Sequence, residues 1–316
     1  MPAEASVNRL HLARWLVRSE NPLTARVTMN RAWQHFFGQG IVLTENDFGH
    51  RGALPSHPHL LDWLAVEFIE SGLSTKRLHR RIVRSATYRQ WSIVRPELAQ
   101  LDPRNRLLAR QSRHRVEAEV IRDMALAASG LLNRKMGGPS VFPPIPPNVI
   151  GTSSAGHKWP TSGGGDRYRR GLYTAVYRAN VYPMLSTFDG PDRDNACTKR
   201  NRSNTPLQSL SLANDPAMGE LFRGLANRVL REAPQQDAQR MRHAFEVCLG
   251  RQPSRAEAVR LMAYLAHQRA HFESHPKAAL RVTGDPQAAG RPATEVAAWF
   301  AVGRLLFNLD EFVTRE

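Results

Sequence analysis

A segment rich in proline and glycine lies in the middle of this chain and limits what the chain can fold into. Residues 133–170 contain the run PPIPP and, further on, GGG, and neither run fits a continuous helix or a paired strand. We therefore expect an irregular region that separates two regular parts. Because the segment also carries large apolar side chains, we expect it to be a partly ordered surface loop and not a free linker; these side chains are Val141, Phe142, Ile145, Val149 and Trp159.

On both sides of this segment, apolar residues recur with a helical period. Before it, three apolar stripes begin close to Thr24, Ser56 and Ser74, which are residue types that cap helix N-termini. After it, Ser254 and Glu257 have the spacing of a capping box, so another helix is expected to start there.

One run, GLYTAVYRAN at 171–180, is rich in Tyr, Val and Thr and predicts one strand or a short hairpin. We predict a mainly α fold with two helical lobes, at 1–132 and 213–316, joined by a Gly/Pro-rich irregular region with a short β element at 133–212. The three parts are expected to form one compact domain.

The net charge of +16 at pH 7, with an isoelectric point near 10.9, favours anionic partners such as an acidic polysaccharide or an acidic protein. Nucleic acid is not expected, because neither a zinc-finger nor an RNA-recognition pattern accompanies the charge. Only 5 of the 44 basic residues are lysine, and the arginines are spread along the whole chain. A generally basic surface, produced by the codon bias of a GC-rich genome, is therefore the alternative.

Motifs that would identify a cofactor are absent from the sequence. There is no P-loop, no GxGxxG after a strand, no GxSxG elbow and no CxxCH haem site, so we expect no cofactor in this chain.

The two cysteines differ in their surroundings. Cys248 lies in an amphipathic helical pattern and should be buried, whereas Cys197 lies in a polar loop. A disulfide bridge between the two remains an alternative. No apolar run is long enough for a membrane span, and the N-terminus has no pattern of an export signal. Because the chain starts almost directly in an amphipathic helix, we expect it to be the tail of a longer protein.

The stretch from Asn21 to Leu64 is the first candidate site, because it holds His35, Asp47, His57 and His59 within a helix–loop–helix pattern. Imidazole and carboxylate groups that converge can bind a ligand or act as acid and base. Their spacing matches no metal signature, so no metal site is predicted. The alternative is structural: Ser56 and His57 cap a helix, while Asp47 accepts hydrogen bonds from its own loop.

The polar loop at 186–215 is the second candidate site, and its candidate binding residues are Asp189, Asp192, Cys197, Arg200, Arg202 and Gln208. Carboxylates that face arginines control each other's charge when they are buried together. A self-satisfied hydrogen-bond network is the alternative, and a thiol nucleophile at Cys197 would require a nearby base.

A third set, Glu117, Glu119, Arg122 and Asp123, has helical spacing. It predicts pairs along one solvated or interface face, such as Glu119 with Arg122.

Several ordered blocks carry a family resemblance over almost the whole chain. They are NPLTARVTMNRAWQHFFGQGIV, DFG-x-RG-x-x-PSHP-x-LLDWLA, LHRRIVRSATYRQ, DPRNRLLAR, VEAEVIRDM, MGGPSV, the FDGPD loop, PLQSLSLAND and NLDEF. The chain resembles the C-terminal domain of unknown function in large planctomycete and verrucomicrobial exported proteins. The resemblance implies a periplasmic or cell-surface location and further domains upstream, which often include a cytochrome c-like segment. Haem is therefore expected only in such an upstream domain, and the resemblance implies no catalytic residue.

Three functions remain open, in this order. The first is a binding or scaffolding domain of a larger exported protein. The second is a hydrolase or lyase that acts on anionic polysaccharide, and the third is an accessory of periplasmic electron transfer that docks on an acidic partner. The sequence contains no motif that decides whether the chain is an enzyme.

Overall fold

The computed structural model describes residues 8–147, 158–177, 181–191, 195–233, 236–284 and 290–315. The chain divides into two compact units: the first unit is Met1–His114 and the second unit is Arg115–Arg315. The described residues are mainly α-helical, which confirms the predicted fold class. Their one sheet consists of two two-residue strands, β1 (His114–Arg115) and β2 (Thr314–Arg315).

The first unit is built around three helices and their shared core. Its helices are α1 (Arg9–Leu16), α2 (Thr24–Phe37), α3 (Pro58–Glu70), α4 (Thr75–Arg84) and α5 (Pro96–Leu101). In α2, the Trp33 ring stacks on Phe37 with centroids 4.2 Å apart. These rings belong to one buried cluster with Leu64 of α3 and Ile82 of α4, so burial of one face of each helix holds the unit together.

The helix starts in this unit follow the predicted caps only in part. Ser74 caps α4 as predicted, because its side chain accepts a hydrogen bond from the Arg77 amide at 3.3 Å. At α2, the Asn21 side chain accepts from the amides of Leu23 and Thr24, so the predicted cap at Thr24 is wrong. The predicted cap at Ser56 is also wrong: α3 starts directly at Pro58 after His57, and no side chain caps it. A proline at the first position has no N–H to satisfy, which reduces the need for a cap.

The second unit contains the longer helices. They are α6 (Ala118–Ser129), α7 (Pro183–Thr187), α8 (Pro206–Asn214), α9 (Pro216–Glu232), α10 (Asp237–Leu249), α11 (Arg255–Ser274), α12 (Pro276–Thr283), α13 (Ala293–Phe307) and α14 (Asp310–Val313). Its main core joins α6, α9, α10 and α13, with Trp299 and Phe307 fully buried. The capping box of Ser254 and Glu257 at α11 is present as predicted. Helix α12 was not predicted, because its short sequence lies in a polar stretch.

The irregular middle of the chain packs within the second unit. The Trp159 Nε1 donates to the Pro143 carbonyl at 2.7 Å, and the Trp159 ring stacks on Tyr182 at 5.7 Å. Val141 is buried, as a partly ordered loop requires, whereas Val149 lies outside the described residues. The large apolar side chains of the segment are therefore used in packing within the second unit.

Within 171–177, the described part of the run at 171–180, no strand of the expected β element forms. Gly171–Tyr173 form a 3₁₀ helix, and Thr174 makes one isolated bridge with Val141, while 178–180 lie outside the described residues. Thr174 and Ala175 are buried. The composition that indicated a strand therefore reflects burial of these side chains and not hydrogen bonding between strands.

The division into units differs from the three predicted parts at 1–132, 133–212 and 213–316. Helix α6 and the irregular middle lie in the second unit together with the C-terminal helices. The physical reason is that α6 buries Ile121 and Leu126 in the same core as α9. The sequence placed α6 with the helices that precede it because the composition changes sharply only after it, at residue 133.

Candidate binding site

The loop between α2 and α3 uses its polar residues to fix its own backbone. The Asp47 carboxylate accepts a hydrogen bond from the Gly49 amide at 2.9 Å, which is the bond that the structural alternative predicts. Asn30 of α2 is fully buried and clamps Val42, donating to its carbonyl at 3.0 Å and accepting from its amide at 2.8 Å. A side chain at Gly40 would strike Asn30, so this glycine permits the close approach. Asp47 thus has a structural role in the loop.

The three histidines of the first candidate site lie on α2, on α3 and directly before α3. His35 and His59 are exposed on α2 and α3, and His57 precedes α3 with its Nδ1 3.0 Å from the Ser56 hydroxyl. Among the described residues, no group of three His, Cys, Asp or Glu side chains is placed to hold a metal ion. The first candidate site therefore shows a loop that fixes its own backbone, with two of its histidines on helix surfaces.

In the second candidate site, Asp189 is the centre of a hydrogen-bond network. Its carboxylate accepts from the Ser203 amide at 2.7 Å and from the Ser203 hydroxyl. Gln208 is buried and donates to the Ser203 hydroxyl and to the Thr187 carbonyl, both at 3.1 Å. Asp189 has a φ of 57°, an uncommon conformation that these bonds support. The network holds the two ends of the loop together; Asp192 lies outside the described residues.

The remaining residues of that loop face helix α6 or solvent. Arg200 binds the Glu119 carboxylate in a bidentate pair, with N–O distances of 2.6 and 3.1 Å. Arg202 is exposed. Cys197 and Cys248 are free thiols, so the alternative of a bridge between them is wrong; Cys248 is buried as expected, and burial raises the pKa of its thiol.

Arg200 and Glu119 line an open cleft of the second unit, with a volume of about 570 Å³. We call it the paired cleft and define it by Glu119, Asp123, Arg170, Cys197 and Arg200. Asp123 lies one turn after Glu119 on α6 and binds the Arg170 Nε at 2.9 Å and the Gly171 amide at 2.6 Å. The Cys197 thiol donates to the Lys199 carbonyl at 3.4 Å. The cleft therefore joins two bound carboxylates to two bound guanidinium groups.

Arg122 has a different role from the one predicted. Its side chain is buried and donates to the backbone carbonyls of Arg167 and Arg169 at 2.9 and 3.3 Å, so the predicted pair with Glu119 along one solvated face is wrong. Desolvation lowers the pKa of this guanidinium. Arg122 thus anchors the irregular segment to α6.

The first unit contains a second open depression, with a volume of about 530 Å³, between α3 and α4. We call it the basic groove. Its floor consists of apolar side chains, and these are Trp33, Leu60, Trp63, Leu64 and Ile82. Its wall consists of arginines on α4, and these are Arg77, Arg80, Arg81 and Arg84. The basic groove combines an apolar surface with a dense positive charge.

The charge of the basic groove is only partly neutralised. Arg81 binds Glu67 at 2.5 Å, and its guanidinium lies 5.7 Å from the centroid of the Trp63 ring. Within the part of the chain that the structure describes, Arg77, Arg80 and Arg84 make no ion pair, and all three are exposed. Between Glu70 and Glu97 the sequence has seven basic residues and no carboxylate. That local imbalance is a signal by which sequence reasoning could have found the groove.

The fold and the two depressions define a mainly α-helical domain that presents a basic surface. The chain belongs to the PSD1 family, described as a protein of unknown function (DUF1553), whose model matches residues 8–265. The resemblance to a domain of unknown function is thereby confirmed. The comparison with curated proteins and the comparison with solved structures each gave no match. Among the described helices, none has the length and apolar character that crossing a membrane requires.

Proposed function

We propose that this domain is a binding or scaffolding module that attaches to an acidic macromolecule through the basic groove of the first unit. The observation that carries the proposal is the row of unpaired arginines on α4, at Arg77, Arg80 and Arg84, beside the exposed ring of Trp63. A guanidinium that has no internal carboxylate is available to bind a carboxylate, sulfate or phosphate of a partner in a bidentate manner.

The charges of this surface should attract and orient an acidic partner, but charge alone should not give tight binding. Exposed charge pairs contribute about 1 kcal/mol or less each, and they are screened within about 10 Å at ~0.1 M salt. Several arginines close together steer an acidic partner and raise its association rate. Binding through this surface should therefore weaken markedly as the salt concentration rises.

A hydrolase or lyase acting on anionic polysaccharide is the second candidate function. The feature in its favour is that Glu119 and Asp123 face the same cleft beside two arginines. Glycoside hydrolysis needs one carboxyl group that gives a proton to the leaving group. Both carboxylates here accept hydrogen bonds from guanidinium groups, so neither is placed as a proton donor. The geometry favours binding for this reason.

We also propose that the domain works within a larger exported protein, in the periplasm or at the cell surface. The basis is the family resemblance stated above. Cell fractionation with an antibody against the domain tests this, because the intact protein should then be larger than 35.5 kDa and leave the cytosol. A cytosolic species of 35.5 kDa would contradict it. Docking to an acidic cytochrome, the third candidate, would use the same basic surface and is tested with the same variants.

The binding proposal is tested by retention on immobilised heparin, a sulfated polysaccharide, at ~50 mM salt. The triple variant Arg77→Glu/Arg80→Glu/Arg84→Glu should lose at least about tenfold in affinity, because it replaces the unpaired positive row by a negative one. The charge-matched control Arg9→Glu/Arg31→Glu/Arg104→Glu changes three exposed arginines of the same unit outside the groove. Its affinity should fall by much less.

Two results would contradict the proposal. One is that the unmodified protein is not retained at low salt, either on heparin or on an acidic c-type cytochrome. The other is an equal loss in the triple variant and its control, which would indicate attraction by net charge alone. Release of shortened or unsaturated sugar products from soluble heparin would favour the lyase or hydrolase instead.

A further inference from the structure

Exposed apolar side chains on α3, and not only the charge of α4, indicate which partner the basic groove can bind. Trp63, which lines the groove, is 50% exposed, and Val66, which lies outside its lining three residues further along α3, is 53% exposed. Both side chains point away from the core that α3 shares with α2, in which Leu61, Leu64 and Phe68 are buried. Helix α3 therefore presents an apolar stripe on its outer face as well as on its inner one.

A purely anionic polymer would make little use of that stripe. Five apolar side chains line the groove, with Trp33, Leu64 and Ile82 buried and Trp63 half-exposed, whereas its cations lie along one wall, on α4. Trp63 is the half-exposed aromatic ring of the groove, whereas Trp33 is buried. Single-stranded nucleic acids are usually bound on several successive stacking rings, which this groove does not present.

A groove between two helices, with an apolar floor and a charged wall, is the usual receptor for an amphipathic helix. Tryptophan and arginine are the residue types that contribute most to such interfaces. Arg81 is already fixed by Glu67 above the Trp63 ring, so the ring and one guanidinium are held in place before a partner arrives. Arg77, Arg80 and Arg84 remain for the partner's carboxylates.

We infer that the basic groove binds an acidic amphipathic helix of a partner protein. The apolar face of that helix would cover Trp63, and its Asp or Glu side chains would pair with the α4 arginines. The inference rests on the proposed function and narrows it, because it states the class of the acidic partner. Helix α4 carries arginines and no carboxylate. Charge complementarity to α4 therefore requires an acidic partner.

The test uses the full chain and two synthetic helical peptides of about 16 residues, labelled for fluorescence anisotropy. The first peptide has Leu at i, i+4 and i+7 with Glu at the outer positions; the second has Ser in place of each Leu. The first peptide should bind at least about tenfold more tightly than the second, because only it can cover the apolar floor. Raising the salt from ~50 to ~200 mM should weaken both.

Two protein variants locate the contact. Trp63→Ala should weaken the first peptide by about tenfold or more and change the second little. Trp91→Ala is the matched control: Trp91 is 78% exposed in the same unit but outside the groove, and its removal should leave affinity unchanged. The triple variant Arg77→Glu/Arg80→Glu/Arg84→Glu, which alters only exposed side chains, should weaken both peptides and does not depend on how well Trp63→Ala folds.

The outcomes separate this inference from the proposed function. Equal affinity for the two peptides would overturn the inference, and so would an oligonucleotide or heparin that binds more tightly than the first peptide and depends on Trp63. If heparin binds through α4 while neither peptide does, only the inference fails. If none of these probes binds, both fail.

Discussion

In the second unit, the arginines of the paired cleft are bound to carboxylates, whereas in the first unit most arginines of the basic groove face solvent. Arg200 binds Glu119 and Arg170 binds Asp123, both on α6. On α4, Arg81 has a carboxylate partner and Arg77, Arg80 and Arg84 have none among the described residues. The two depressions have similar volumes, so the difference between them lies in how their charge is used.

The pattern extends beyond the two depressions. In the second unit Arg167 pairs with Glu220, and Arg269 binds both Glu295 and Asp237. These pairs connect segments that are distant in sequence and therefore support the fold. An arginine without a partner adds little to stability, but it leaves a charge available for another molecule. Substitution of paired arginines in the second unit should thus change mainly stability, and substitution of the groove arginines in the first unit should change mainly binding.

The largest effect on stability is expected at Gly171, where the paired cleft depends on a close approach of two segments. A Cβ at this position would lie 2.8 Å from the Cα and the carbonyl oxygen of Glu119, so Gly171→Ala must push the segment away from α6. We expect a loss of about 2–4 kcal/mol in the free energy of unfolding, measured in urea.

Gly219 in α9 provides the control for that substitution. A Cβ there meets no atom within 4 Å, so Gly219→Ala should stabilise the helix by about 0.5–1 kcal/mol. If both substitutions change stability by the same small amount, the segment at Gly171 is not held tightly, and the cleft cannot be described as a fixed set of ion pairs.

The next largest effect is expected for the pair of Arg200 and Glu119. Their side chains are 27% and 23% exposed, so screening by solvent is incomplete. A double-mutant cycle with Arg200→Ala and Glu119→Ala should give a coupling energy of about 1–2 kcal/mol. By contrast, Arg77→Ala and Arg80→Ala in the basic groove should each change stability by less than about 0.5 kcal/mol. A similar cost for the groove arginines would erase the difference between the two units.

The sequence predicted the features that depend on neighbours along the chain. The cap at Ser74, the capping box of Ser254 and Glu257 and the turn bond of Asp47 each join groups within a few residues. The mainly α fold follows from apolar periodicity, which is also a local property. Where a local signal misled, as at Thr24, a competing group, the Asn21 side chain, had satisfied the same need.

The pairings that define the paired cleft were not predictable in this way. Glu119 meets Arg200 across 81 residues, and Asp123 meets Arg170 across 47. The helical spacing of Glu119 and Arg122 indicated a local pair, but burial of α6 turned Arg122 towards backbone carbonyls. The charge imbalance of α4 was visible in the sequence, whereas the exposure of Trp63 depends on which face of α3 enters the core.

Among the effects expected at paired residues, the smallest is a pH dependence at Glu257 of the second unit. Hydrogen bonds from Arg251 and from the Ser254 amide lower the pKa of Glu257 from 4.5 to about 2 in the folded protein. Its contribution to stability is therefore complete above pH 4.5 and is lost as the pH falls towards about 2. Because the side chain is 36% exposed, we expect about 1 kcal/mol and not the full value of the shift.

Glu257→Gln should thus lower the free energy of unfolding by about 1 kcal/mol at pH 6, and the difference from the unmodified protein should shrink as the pH approaches about 2. Glu273→Gln is the control, since Glu273 is exposed on the same helix α11 and should show no such trend. A difference that stays constant with pH would mean that Glu257 acts through its capping geometry and not through its charge. In that case, electrostatic attraction would contribute less to the stability of the second unit than the comparison with the basic groove implies.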